Sequence, residues 1–200
     1  RAVLVSLSSE EAAILVSAAA HGDRLAWERI VESYGRLIWV IARNHRLSPG
    51  DAADVSQTTW LRLMEHIDRL TEPGRVGAWL ATTARRECLR IQAKNRRTSP
   101  IPDEAIVDLV QVRGVAADDL DAALLSAERS EAVHRAIALL PAHCQEMLRL
   151  MMLDPAPTYE EIAAAIGRPI GSLGPSRKRC LEKLRVLLAN VEVVQVSQLA

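Results

Sequence analysis

Phenylalanine is absent from this 200-residue chain, and tyrosine and tryptophan together make up only 3% of it. A core without many large rings has to be filled by aliphatic side chains, and a hydrophobic share of 49% rich in Ala and Leu leans towards packed helices. Cysteine is scarce. Cys88, Cys144 and Cys180 are odd in number and widely spaced, which does not make a disulfide framework and fits a reducing, cytosolic setting. Long hydrophobic runs are missing too: the longest, residues 12–20, is interrupted by Ser17 and falls well short of the ~20 residues a spanning helix needs. No basic stretch precedes it and no cleavage site follows, so neither a secretory leader nor membrane insertion is expected, and the expected location is cytoplasmic.

Charge of one sign is also lacking, because 25 basic and 25 acidic residues sum to zero. Taken whole, that balance argues against a polyanion partner. Taken locally, it does not. Residues 85–97 carry Arg85, Arg86, Arg90, Lys94, Arg96 and Arg97 against Glu87 alone, and residues 177–185 carry Arg177, Lys178, Arg179, Lys183 and Arg185 against Glu182 alone. Between them, residues 98–125 hold six acidic side chains against Arg113. Two basic blocks flank an acidic linker, and this segregation is the informative quantity.

The apolar pattern is helical throughout. Trp27, Ile30, Val31, Tyr34, Leu37, Ile38 and Ile41 recur at the 3.6-residue period of an amphipathic helix. After the HRLSPGD break a second helix is expected over 51–66, with Val55, Trp60, Leu63, Met64 and Ile67 buried. After TEPG a third runs from about 75 to 96, burying Leu80, Ala84, Cys88 and Ile91. Residues 98–125 mix Pro, Gly, Asp and Val without periodicity and read as a tether. Helices resume over 126–140 and again after Pro141. The expected organisation is all-α, with an N-terminal extension (1–21), a helical domain (22–97), a linker (98–125), a second helical domain (126–190) and a tail (191–200).

The strongest local signal is TYEEIAAAIGRPIGSL. Thr158 and Glu161 form a capping box, in which hydroxyl and carboxylate satisfy reciprocal backbone donors. Ala163 allows two helices to cross closely, and Gly167 supplies the left-handed turn between them. Together they make a helix-turn-helix whose second helix opens with the unusual run Gly171-Ser172-Leu173-Gly174-Pro175. If Ser172 caps that helix, Leu173, Gly174 and Pro175 fill its first turn, where proline sacrifices no hydrogen bond. The basic residues that follow suit phosphate neutralisation.

Two further faces stand out. Arg86, Arg90, Lys94 and Arg97 form a cationic stripe opposite the apolar face of the third helix. Asp54, Gln57, Thr58 and Leu61 form a stripe on the second helix, an exposed leucine rimmed by acid and amide. Catalytic constellations are thin. The five histidines are scattered, His143 beside Cys144 lacks the spaced partners of a zinc site, and no phosphate-binding loop, nucleophile elbow or paired metal carboxylates occur. No enzyme, cofactor or metal is expected.

These residues resemble, over about 22–190, the group IV (extracytoplasmic-function) sigma factors of bacterial RNA polymerase. DAADVSQTTWLRLMEHIDRL is similar to region 2.2, GRVGAWLATTARRECLRIQAKNRR to regions 2.3 and 2.4, and LPAHCQEMLRLMMLDPAPTYEEIAAAIGRPIGSLGPSRKRCLEKLR to region 4. The resemblance implies docking on the polymerase core through Asp51, Asp54, Gln57 and Leu61. It implies capture of the promoter −10 element by Arg75, Trp79, Arg86, Arg90, Lys94 and Arg97. It also implies major-groove reading of the −35 element by Ser172, Ser176, Arg177, Lys178 and Arg179. RNA polymerase core and promoter DNA are the implied partners, and an anti-sigma factor is the family's usual control.

The chain departs from the family in two places. Arg85-Arg86 stands where an Arg-Asn pair is usual, and Gly174-Pro175 replaces side chains that often read bases. A stand-alone helix-turn-helix regulator remains the main alternative, with a protein-binding adaptor behind it.

Overall fold

The computed structural model describes residues 7–98 and 132–197, with side chains over 7–96 and 132–189. Every regular element among the described residues is helical. The helices are α1 (Ser9–Ala20), α2 (Arg24–Asn44), α3 (Pro49–His66), α4 (Val76–Thr98), α5 (132–138), α6 (Ala142–Met151), α7 (Tyr159–Ile166) and α8 (Leu173–Ser197). The described residues fall into two compact units, one drawing on 7–98 and 149–173, the other on 132–148 and 174–197. Residues 149–173, which the sequence reading assigns to the second helical domain, cluster with the first unit. Helix α7 lies in the first unit, against α4. The linker expected over 98–125 lies almost wholly outside the described residues.

Local chemistry accounts for where the helices start. Ser8 and Glu11 form a capping box on α1: Glu11 N–H donates to Ser8 Oγ at 3.2 Å and Ser8 N–H to Glu11 at 2.8 Å. This helix falls in what sequence alone suggested was an extension, yet it buries Ala12 and Val16. Asp23 caps α2, accepting from Leu25 and Ala26 N–H. Ser48 caps α3 with Pro49 at its first position, so the helix begins two residues earlier than the HRLSPGD break suggests.

The core of the first unit is aliphatic, as the lack of phenylalanine requires. Ile30, Ile38 and Ile41 of α2 are fully buried, as are Val55 and Leu63 of α3 and Val76 and Leu80 of α4. Each such side chain contributes about 1.5–3 kcal/mol on burial. Trp27 and Trp60 meet edge to face, with centroids 6.1 Å apart, and tie α3 to α2. Met64, expected in the core, is instead 60% exposed. At about 100° per residue it lies roughly half a turn from Val55, on the side of Gln57.

Close approach of α7 to α4 depends on Gly77. A Cβ there would sit 2.6 Å from Tyr34 Cε1 and overlap the Glu161 carboxylate. Burial pushes the Glu161 carboxyl above its usual range, against the backbone and hydroxyl donors of Thr158, and pushes the Tyr34 phenol up as well.

In the second unit Cys144 and Cys180 are joined as a disulfide. This corrects the expectation of three independent thiols, which spacing along the chain could not test. Cys88 remains free and buried, its thiol pushed up to about 12 chiefly by burial.

Candidate nucleic-acid interface

Helix α4 carries its cations on a face turned away from the core. Leu80, Ala84 and Cys88 are fully buried and Ile91 nearly so, while Arg86, Arg90, Lys94 and Arg96 are exposed. Arg97 continues the helix, and its side chain lies outside the described residues. Glu87, the acid among these cations, follows Leu80 by seven residues and so shares the apolar face; it is only 3% exposed. Its carboxylate is held at both oxygens, by Arg62 Nη2 of α3 at 2.6 Å and by Arg90 Nε at 2.7 Å. A carboxylate this desolvated needs both partners, and in return it orients Arg90. Arg90 is therefore a pinned cation, and Arg86 a more open one.

The other members of the expected −10 set are placed differently. The Arg75 guanidinium is shared between Glu72, at 2.7 Å, and Glu160 at the start of α7. Two carboxylates thus occupy a side chain expected to face DNA, and reaching phosphate would mean exchanging them. Trp79 is half-buried, its ring tilted against His66 with centroids 6.4 Å apart.

The turn after α7 follows the sequence reading. Thr158 accepts from Glu161 N–H at 3.2 Å while Glu161 accepts from Thr158 N–H at 2.8 Å. Gly167 is left-handed at φ 68°, its N–H donating to Ala163 O. A side chain there would be strained and would meet Arg85, whose Nε lies 2.6 Å from an ideal Cβ.

The start of α8 corrects the expectation in part. The α-helix does begin at Leu173, with Gly174 and Pro175 in its first turn. Ser172, however, does not cap it. The Ser172 hydroxyl donates to Pro169 O at 2.7 Å, and residues Ile170–Ser172 form a 3-10 turn running straight into α8. Helical winding is therefore continuous from Ile170 through Pro175. The tighter winding brings the backbone in with Ser172 N–H bonded to Pro169 O, and no side-chain cap is needed.

Beyond this point Leu173, Ser176 and Cys180 are buried at spacings of three and four, whereas Arg177, Lys178 and Arg179 are exposed. Ser176, expected to read bases, is 6% exposed and belongs to the packed face. Ser172 is half-buried. The cations are the exposed members of that set.

On α3, Asp54, Gln57 and Leu61 are exposed as expected, with Leu61 at 57%. Met64 joins them and enlarges an apolar surface that the sequence reading underestimated. Asp51 is half-buried and committed to structure, since its carboxylate accepts from Ser48 Oγ at 3.0 Å and from Asn95 at 3.2 Å. His45, which closes α2, was not singled out from sequence. Its Nε2 is buried without a hydrogen-bond partner. Burial holds its pKa below the usual value, a bond with Gln92 opposes this, and nearby Arg85 adds to the lowering.

His143, Cys144 and Cys180 converge, with side-chain atoms within 4.8 Å of one another. The missing partner of the His143-Cys144 pair is Cys180, brought in from a distant part of the chain. With the two sulfurs bonded to each other, neither is a thiolate ligand. No helix among the described residues is long and apolar enough to cross a membrane.

Comparison with known proteins follows the same helices. Among solved structures, the chain is similar to CnrH in its complex with the cytosolic domain of CnrY. The two are 23% identical with a TM-score of 0.54, over 90% of this chain and 97% of that one, a likeness of fold. No curated protein matches the chain. The family model Sigma-70 region 2 matches residues 30–98, which span α2, α3 and α4 with their cationic face and exposed stripe. Over this region the chain is similar to the sigma-70 family.

Proposed function

We propose that the protein is a group IV sigma factor that binds RNA polymerase core and directs promoter-specific initiation, without being itself an enzyme. The observation that carries this reading is the α3 face within the matched region 2. Asp54, Gln57, Leu61 and Met64 leave an acid, an amide and two large apolar side chains in solvent, while the opposite face is packed. An exposed apolar patch with a polar rim is the usual mark of a protein-binding surface. Asp51 supports this face through the Ser48 cap, as a positioning residue. Arg86, Arg90 and Lys94 would track phosphates of the separated −10 strand, and Arg177, Lys178 and Arg179 those of the −35 duplex. Such work belongs in the cytoplasm, where polymerase and chromosome are. CnrH is seen with the cytosolic domain of CnrY, and a protein domain that masks the α3 or α4 face is the kind of control we propose here.

The test is transcription in vitro with polymerase core, with and without this protein. Promoter-specific transcripts are expected only with it, and Asp54→Arg should abolish them while leaving helicity unchanged. Tight duplex binding as a dimer, indifferent to core, would instead favour the stand-alone helix-turn-helix regulator.

A further inference from the structure

Three cysteines in one chain meet two different environments. Cys88 is free and fully buried on α4, where burial and, to a lesser degree, Glu87 disfavour the thiolate. Cys144 stands in the first turn of α6, with its N–H bonded to Pro141 O at 2.8 Å. The N-terminal end of a helix presents positive potential, and His143 Nε2 lies 3.4 Å from the Cys144 sulfur. Its partner Cys180 lies seven residues into α8, on the packed face, and is 1% exposed. On the other face of the same turn are Arg177, Lys178 and Arg179.

We infer that Cys144 and Cys180 are a reversible oxidation site, a dithiol that a small hydroperoxide converts to the disulfide and that sets how firmly the basic face of α8 is presented. The Cys144 thiolate attacks one peroxide oxygen, the O–O bond breaks, and a sulfenic acid and hydroxide result. The Cys180 thiol then attacks the sulfenic sulfur, the S–S bond forms and water leaves. In sum, two thiols and one hydrogen peroxide yield one disulfide and two waters. A cellular dithiol reverses the reaction by exchange. Both cysteines are buried, so the small size of hydrogen peroxide matters, and the exposed His143 marks the side from which it approaches.

The bond joins residues 36 apart and ties the first turn of α6 to the second turn of α8. A loop of that length, closed covalently, removes much of the freedom of the unfolded segment. The oxidised form is therefore the rigid one, and reduction loosens the helix that carries the three cations. Disulfides in proteins of the cytoplasm are typically of this transient, sensing kind. This last consequence, for DNA, rests on the reading proposed above; the chemistry of the site does not.

The experiment uses the full chain, treated with stoichiometric hydrogen peroxide or with dithiothreitol and then freed of both. Maleimide labelling after denaturation should count one thiol, Cys88, in the oxidised protein and three in the reduced one. The Tm should be higher by about 5 °C or more in the oxidised form. That difference should vanish in Cys180→Ser and in Cys144→Ser but persist in Cys88→Ser. Three thiols after peroxide, equal Tm values in the two states, or reduced protein that retains stoichiometric zinc and resists oxidation would each overturn the inference. Binding of a −35 duplex should weaken several-fold on reduction of the unsubstituted protein alone. Absence of duplex binding in both states would count against the DNA reading, whereas the thiol count and Tm judge the site itself.

Discussion

Glu87 shows how one side chain can organise a charged surface. Its place on the apolar face was legible in sequence, seven residues after Leu80 and four before Ile91, but its charge invited reading it as one more surface group. Buried between Arg62 and Arg90, it becomes the anchor of two cations. Replacing Glu87 by Gln keeps the shape and removes the charge. The expected loss is about 1–2 kcal/mol, discounted because both arginines remain about half in solvent, and it would be read as a lower urea midpoint. His45 is a second such site. Its folded-state pKa lies below the ordinary 6.5, so the unfolded chain takes up the proton first. Its contribution is present above pH 6.5 and is lost as pH falls through the lower folded value. The urea midpoint should therefore drop between pH 7.5 and 5.5, and His45→Gln should flatten that drop. Glu161, with its raised carboxyl pKa, acts in the opposite sense towards acid, and the comparison of the two proteins isolates the histidine.

At the scale of the element, α8 is where local rules were most nearly sufficient. The position of Pro175 in the first turn, the left-handed Gly167 and the Thr158 box all follow from residue type at fixed spacing. The 3-10 entry through Ile170–Ser172 does not, because the Ser172 hydroxyl donates to Pro169 O instead of accepting from an N–H of the coming helix. Presentation of the cations is a property of the whole first two turns. Each phosphate contact contributes close to one unit of salt slope. Lys178→Ala should thus lower the salt dependence of −35 binding by about one, uniformly across sequences, in a titration of affinity against ionic strength. An unchanged slope would remove Lys178 from the interface. Helix α1 makes the converse point. Its capping box at Ser8 and Glu11 stood in the sequence, and the run that follows was weighed only as a membrane or leader segment.

At the scale of the molecule, zero net charge conceals two basic blocks, and folding sorts their members. Arg86 of the first and Lys178 of the second stay in solvent, while Arg90 of the first is drawn to the Glu87 carboxylate. The transcription experiment with Asp54→Arg belongs here, because it asks the chain to hold polymerase and promoter together. By itself, the sequence determined that the chain is helical, where most helices start, which faces are apolar, and which family its motifs resemble. Those are matters of spacing over a few residues, where backbone geometry leaves little choice. Tertiary structure alone decided that Glu160 meets Arg75, that Ser176 and Met64 exchange their expected environments, and that Cys180 meets Cys144. Pairings across 36 or 85 residues depend on which faces of distant helices come together. That choice is made by burying the most apolar surface at once, and no local period records it.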